Sequence, residues 1–220
     1  AMAERLFDSI PEIGHFEMEP GTYVGGAHLE DRDLEQVHLL LGFPGISYEN
    51  DQFYATSVMS ALLGGGMSSR LFQEVREKRG LVYSIYSYPA FYRDCGLFGI
   101  YAGTGPPDVD ELLPVICEEI LRLPGSLSDE EIKRARTQLK AATLMSLEST
   151  GSRCEQMAQQ MLLFGRPLTT EEQVEKIEAV DRTEICAVAE RIFSGRPTIA
   201  AIGPVKQIME YDRLVATLAN

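Results

Sequence analysis

Two runs, LVYSIYSYPAFY at residues 81–92 and CGLFGIYAGT at residues 95–104, are dense in aromatic and β-branched residues and are separated only by Arg93 and Asp94. That pattern reads as a long antiparallel hairpin. A hairpin of this kind needs further strands beside it and a layer to cover it. TYVGGAHLED and LEQVHLLLGFPG supply two more strands, expected over about 22–29 and 36–43, with Pro44 and Gly45 stopping the second. The run PTIAAIGP at 197–204, bracketed by prolines, predicts a late strand that returns to the same sheet.

The covering layer is helical. Phe53, Tyr54, Val58, Ala61 and Leu62 recur at helical spacing, predicting a helix from Asp51 to Leu63, and another is expected over 68–79, ending at Gly80. GPPD closes the hairpin and places Asp108 to cap the next helix. Helices are then expected at 108–122, 129–150, 152–164, 171–179 and 181–193, with a short one after the last strand. LSDEE, TTEEQ and DRTE each set a capping residue ahead of acids that favour a helix N-terminus. Strands first, helices next and one late strand predict an α+β fold: a mainly antiparallel mixed sheet with helices packed on one face.

With 220 residues, a single domain buries about 70% of its unfolded surface, so a full core is available. The balance of 20 basic against 33 acidic residues gives a net charge of −13, which argues against nucleic acid and anionic membrane surfaces as partners. No apolar run reaches the roughly 18 to 20 residues that span a bilayer, and the N-terminus lacks the pattern of a signal peptide. Cys95, Cys117, Cys154 and Cys186 are dispersed without a C-x-x-C pair and read as reduced, mostly buried thiols. His15, His28 and His38 form no local zinc motif, and HLEDRD at 28–33 reads as a solvated turn.

The stretch GGGMSSRLFQEVREKRGLVY at 64–83 invites three readings. A phosphate loop needs Lys followed by Ser or Thr after the glycines, and a serine nucleophile needs G-x-S-x-G after a strand; neither is present. Glycines that turn the chain and serines that cap the next helix explain those residues without further chemistry. Leu71, Phe72 and Val75 form the apolar edge of that helix, and Glu74 with Lys78 forms an i,i+4 ion pair. Arg76, one turn after Phe72, is expected on the inward side with no acid three or four residues away. Tyr83 follows seven positions later, where the turn at Gly80 brings its hydroxyl toward the guanidinium. An arginine and a tyrosine both donate hydrogen bonds and suit a peptide carbonyl or an oxyanion; a salt bridge from Arg76 to a distant acid is the alternative, and the residues alone leave both open.

RDLEQVHLLLGFPG, LLGGGMSSRLFQEVREKRGLVYSIYS and CGLFGIYAGT resemble the C-terminal half of a subunit in the pitrilysin/insulinase family of zinc peptidases, in its mitochondrial-processing-peptidase-like branch. The likeness covers about residues 20–204. It implies a half-domain over 20–220, with residues 1–19 a linker and remnant of a preceding half. The family's inverted zinc motif H-x-x-E-H is absent here, so the resemblance implies no metal in this chain and zinc in an N-terminal half or a partner subunit. It further implies that Arg76 and Tyr83 bind unfolded peptide substrate and stabilise the transition state in a clamshell chamber of a metalloendopeptidase, as a homo- or heterodimer. This chain alone is then expected to be inactive. A non-catalytic assembly subunit and a peptide-binding module are the alternative functions. The acidic charge is compatible with a chamber that draws in basic peptides, and a bacterial cytoplasm is the expected compartment, with the mitochondrial matrix and the periplasm as alternatives.

Overall fold

The computed structural model describes residues 2–9 and 19–219. A short helix α1 (Met2–Phe7) precedes the main body; the segment expected to link it onward lies largely at 10–18, outside the described residues. Five strands form one sheet: β1 (Gly26–Asp31), β2 (Val37–Pro44), β3 (Val82–Phe91), β4 (Gly96–Thr104) and β5 (Thr198–Gly203). Their order is β1-β5-β2-β4-β3, with β1 parallel to β5 and every other pair antiparallel. The late strand therefore enters the middle of the sheet, between the first two.

Strict alternation places the strands. In β2, Val37, Leu39, Leu41 and Phe43 are buried and point to the helices, while His38 and Leu40 point away. Ile199 and Ala201 of β5 do the same beside them, as a period of two on a one-sided sheet requires. The helical layer comprises α2 (Phe53–Gly64), a π-helical segment (Phe72–Lys78), α3 (Val109–Ser126), α4 (Asp129–Ser146), α5 (Thr150–Phe164), α6 (Thr170–Ala179), α7 (Arg182–Phe193) and α8 (Tyr211–Leu218). Helix α2 is buried on nearly every side, from Ala55 to Leu63, which marks it as the centre of the layer. No helix is long and apolar enough to cross a membrane among the described residues.

The expected caps form at three helices. Ser128 and Asp181 close full capping boxes with Glu131 and Glu184, and Thr169 accepts from the Glu172 amide. Asp108 makes no side-chain cap; a 3-10 turn, Pro106–Asp108, leads into α3 instead. Helix α3 also runs past Pro124, where sequence reasoning stops it at 122. Leu123 is fully buried and the Ser126 hydroxyl donates to the Arg122 carbonyl at 2.7 Å, so packing carries the last turn through. Ser68 and Ser69 do not cap the segment after them: the Ser69 hydroxyl donates to the Gly66 carbonyl at 2.6 Å and tightens the turn. Of the cysteines, Cys117 is buried, Cys95 and Cys186 are half-buried and Cys154 is exposed, all four free.

Candidate functional site

Arg76 and Tyr83 flank one hydrogen-bonded turn. The Gly80 amide donates to the Arg76 carbonyl at 3.1 Å, and the Leu81 amide donates to the Val75 carbonyl at 3.0 Å. Gly80 sits at φ +68°, a left-handed geometry that favours glycine and lets a helical segment turn directly into β3. The Thr104 hydroxyl donates to the Leu81 carbonyl at 2.5 Å and ties the turn to β4.

Arg76 is exposed, which corrects the inward placement expected from its spacing to Phe72. The buried line of this segment is Leu71 and Val75. Phe72 lies on its border, half-buried, and the Arg76 guanidinium rests over its ring at 4.7 Å. The neighbouring cations are neutralised. Glu74 accepts from Lys78 at 2.7 Å and from Arg79 at 3.3 Å, and Arg79 also meets Glu111 at 3.1 Å. The hydrogen bond from Lys78, with Arg79 beside it, holds the Glu74 carboxyl below its usual range despite some desolvation. Arg70 is taken by Glu131. Among the described residues, no carboxylate pairs with Arg76.

Tyr83 is 62% exposed. Val82 pairs with Thr104 and Ser84 with Gly103, so Tyr83 is the extra residue of a β-bulge at the start of the edge strand. Bulges re-aim side chains and recur beside active sites. The Tyr83 hydroxyl has no hydrogen-bond partner among the described residues, and no hydrogen bond joins it to Arg76. The two ends of this turn therefore each carry an exposed donor with no hydrogen-bond or ion-pair partner among the described residues, Arg76 before it and Tyr83 after it.

The surrounding sheet face is aromatic. Tyr86 stacks on Tyr101 at 5.0 Å, Tyr88 lies beside Tyr86, and the Tyr101 hydroxyl hydrogen-bonds to His38 Nδ1 at 2.7 Å. The outward positions of β2, β3 and β4 carry no Asp, Glu, Lys or Arg. The strands around Tyr83 thus add no charged side chain of their own to this face; Glu30 of β1, opposite Ile202 farther along the sheet, is paired with Arg32. The bulge and the His38–Tyr101 bond leave no signal in the sequence; each depends on strand register.

Among the described residues, no group of three or more His, Cys, Asp or Glu side chains is placed to hold a metal ion. His28 and His38 are exposed on separate strands, and His15 lies outside the described residues. The donor set does not fit a resident zinc.

Residues 1–139 match the family described as the peptidase M16 inactive domain. A Streptomyces coelicolor protein named an uncharacterized zinc protease is 41% identical over 183 residues, covering 83% of this chain and 40% of its own length. A Rickettsia bellii protein with the same description is 40% identical over 203 residues, 92% of this chain and 49% of its own. Mitochondrial-processing peptidase subunit alpha of Caenorhabditis elegans is 30% identical over 232 aligned positions, 96% of this chain and 45% of its own length. The chain thus spans less than half the length of these relatives. A subunit in the structure of complex III from Candida albicans superposes with a TM-score of 0.85 at 20% identity, covering 99% of this chain and 55% of that one, and shows the shared fold. The resemblance read from the sequence is borne out, and the chain belongs to the peptidase M16 family as its inactive half-domain.

Proposed function

We propose that this chain is the half of a zinc metalloendopeptidase that carries no metal, that it closes a peptide-binding chamber against a zinc-bearing half or partner subunit, and that Arg76 and Tyr83 bind the substrate there. The observation that carries the proposal is the free state of the pair. Among the described residues, a guanidinium with no carboxylate and a phenol hydroxyl with no acceptor stand exposed at either end of a turn held by three hydrogen bonds, while Arg70, Lys78 and Arg79 close by are all consumed by acids.

Both groups can donate, and among the described residues neither has a hydrogen bond to break first. A peptide carbonyl oxygen placed before them accepts from the guanidinium and the hydroxyl, which fixes the chain and polarises the carbonyl. Negative charge that grows on that oxygen during hydrolysis strengthens both bonds and so lowers the barrier. Phe72 beneath the guanidinium restricts its motion and keeps water from one face. The chain by itself is expected to hydrolyse nothing.

The test is kinetic, in the full-length protein with its zinc-bearing half. Arg76→Ala and Tyr83→Phe are each expected to lower kcat/KM for a peptide by about 100- to 1000-fold with the melting temperature unchanged. A non-catalytic assembly role is the second reading, favoured by the exposed Met157, Met161 and Leu162 on α5. Cleavage unaffected in both folded variants would favour that reading and end the first.

A further inference from the structure

A cleft of about 350 Å³ opens between the start of α4 and the start of α7, lined by Asp129, Ile132 and Arg136 from one and by Asp181, Arg182 and Thr183 from the other. Neither Arg76 nor Tyr83 lines it. Arg136 is half-buried there, and its Nε is the one buried side-chain nitrogen or oxygen left without a hydrogen-bond partner among the described residues. No acid among them pairs with its guanidinium, although Arg70, Arg79, Arg122, Arg166 and Arg182 each find one. A sealed donor in that state is rare in a folded chain and calls for a cause.

The two Nη atoms of Arg136 are not sealed in this way, so the open end of the guanidinium is free to meet an acceptor from outside the chain. Its Nε has given up water and gained no bond in return. A partly desolvated charge attracts a counter-ion more strongly than a fully solvated one, and two parallel N–H donors hold a carboxylate in bidentate fashion.

The other ions of the cleft are mostly answered within the protein. Arg182 pairs with Asp129 at 2.9 Å. Asp181 accepts the Glu184 amide on Oδ1 at 2.9 Å, while its Oδ2 has no partner among the described residues. One guanidinium and one carboxylate oxygen therefore remain, opposite in sign, on the same small cleft and not paired with each other. Buried Ile132 adds an apolar side chain between the polar ones. The volume is near the lower bound of ligand pockets and suits a single residue better than a length of chain.

We infer that this cleft binds a free α-amino acid, its carboxylate on the Nη atoms of Arg136, its ammonium on Asp181 Oδ2 and an aliphatic side chain against Ile132. Such a zwitterion supplies both missing counter-charges and leaves the cleft neutral. The site is separate from the Arg76–Tyr83 turn and stands whether or not that pair acts in catalysis.

The experiment is isothermal titration calorimetry on the full-length protein, with a chelator present so that no metal holds the ligand. L-Leucine is expected to bind saturably. L-Leucinamide, which lacks the carboxylate, and 4-methylpentanoate, which lacks the ammonium, are each expected to bind about tenfold more weakly or worse, as loss of a charge-assisted contact predicts. Arg136→Gln, and Asp181→Asn, which keeps a capping oxygen for α7, are expected to weaken leucine by about the same factor, while Arg76→Ala and Tyr83→Phe leave it unchanged. Absence of saturable binding below about 1 mM, a level at which little binding energy is left to explain, overturns the inference. So does leucine binding that both folded cleft variants retain, binding of either analogue as tight as that of leucine, or binding that only the Arg76 and Tyr83 variants lose.

Discussion

Arg70 grips Glu131 through both carboxylate oxygens, Nε to Oε1 at 2.7 Å and Nη2 to Oε2 at 3.1 Å, across 61 positions of sequence. The same Glu131 accepts from the Ser128 amide and hydroxyl, and Arg70 also donates to Ser126. One ion pair thus fastens the glycine-rich turn to the start of α4. Desolvation raises the Glu131 carboxyl, but the hydrogen bonds from Arg70 and Ser128 outweigh it and hold the carboxyl at about 2. Because the folded-state value is depressed, the stability this group contributes is complete above the ordinary carboxylate range and is lost as pH falls toward about 2. Glu131→Gln is expected to cost about 1–3 kcal/mol at pH 7, with the gap from wild type closing as the pH approaches 2. Denaturant melts at several pH values check this; a gap independent of pH would count against the ion pair.

Gly64 ends α2 against the backbone of β3. A Cβ there would lie 2.4 Å from the Ser87 nitrogen and 2.7 Å from its hydroxyl oxygen, and Ser87 is itself bonded to the Ser60 carbonyl at 2.9 Å. Alanine is normally better than glycine in a helix by about 1 kcal/mol. Here overpacking of about 1–3 kcal/mol opposes that gain and exceeds it, because backbone must move. Gly64→Ala is expected to lower the melting temperature; a rise would mean that α2 and β3 are not in this contact.

Burial pushes the Cys117 thiol up to about 12, while Cys154 stands exposed on α5. A thiolate, and access to it, are both needed for alkylation. Native protein treated with iodoacetamide and read by mass spectrometry is expected to carry label at Cys154 and none at Cys117 until denaturant is added. Equal labelling of both under native conditions would contradict the burial of α3.

Much of this architecture is legible in the residues. Val37, Leu39, Leu41 and Phe43 alternate cleanly, and Ser128 with Glu131 and Asp181 with Glu184 announce their helices because capping is a local interaction. What escapes is set by distant partners. The three glycines at 64–66 read as a turn, yet Gly64, the last residue of α2, is required by Ser87 on the distant strand β3. Val82, Tyr83 and Ser84 alternate like a straight strand, and only the register against Thr104 and Gly103 reveals the bulge that re-aims Tyr83. Arg76 points outward because Phe72 borders the core without entering it, a distinction between two apolar neighbours that periodicity does not draw. Arg70 finds its acid on a helix that no local spacing connects to it.

The role of the turn between the π-helical segment and β3 is tested most directly by covalent capture. In the full-length protein, p-benzoyl-phenylalanine introduced at Tyr83, which is exposed and whose hydroxyl has no partner among the described residues, is irradiated with a bound peptide substrate, alongside the same probe at Leu121 on the outer helical layer. Peptide attached at position 83 and not at 121 is the predicted result. Capture at 121 equal to that at 83, or none at 83 while the substrate is demonstrably bound, would show that the substrate does not pass this turn.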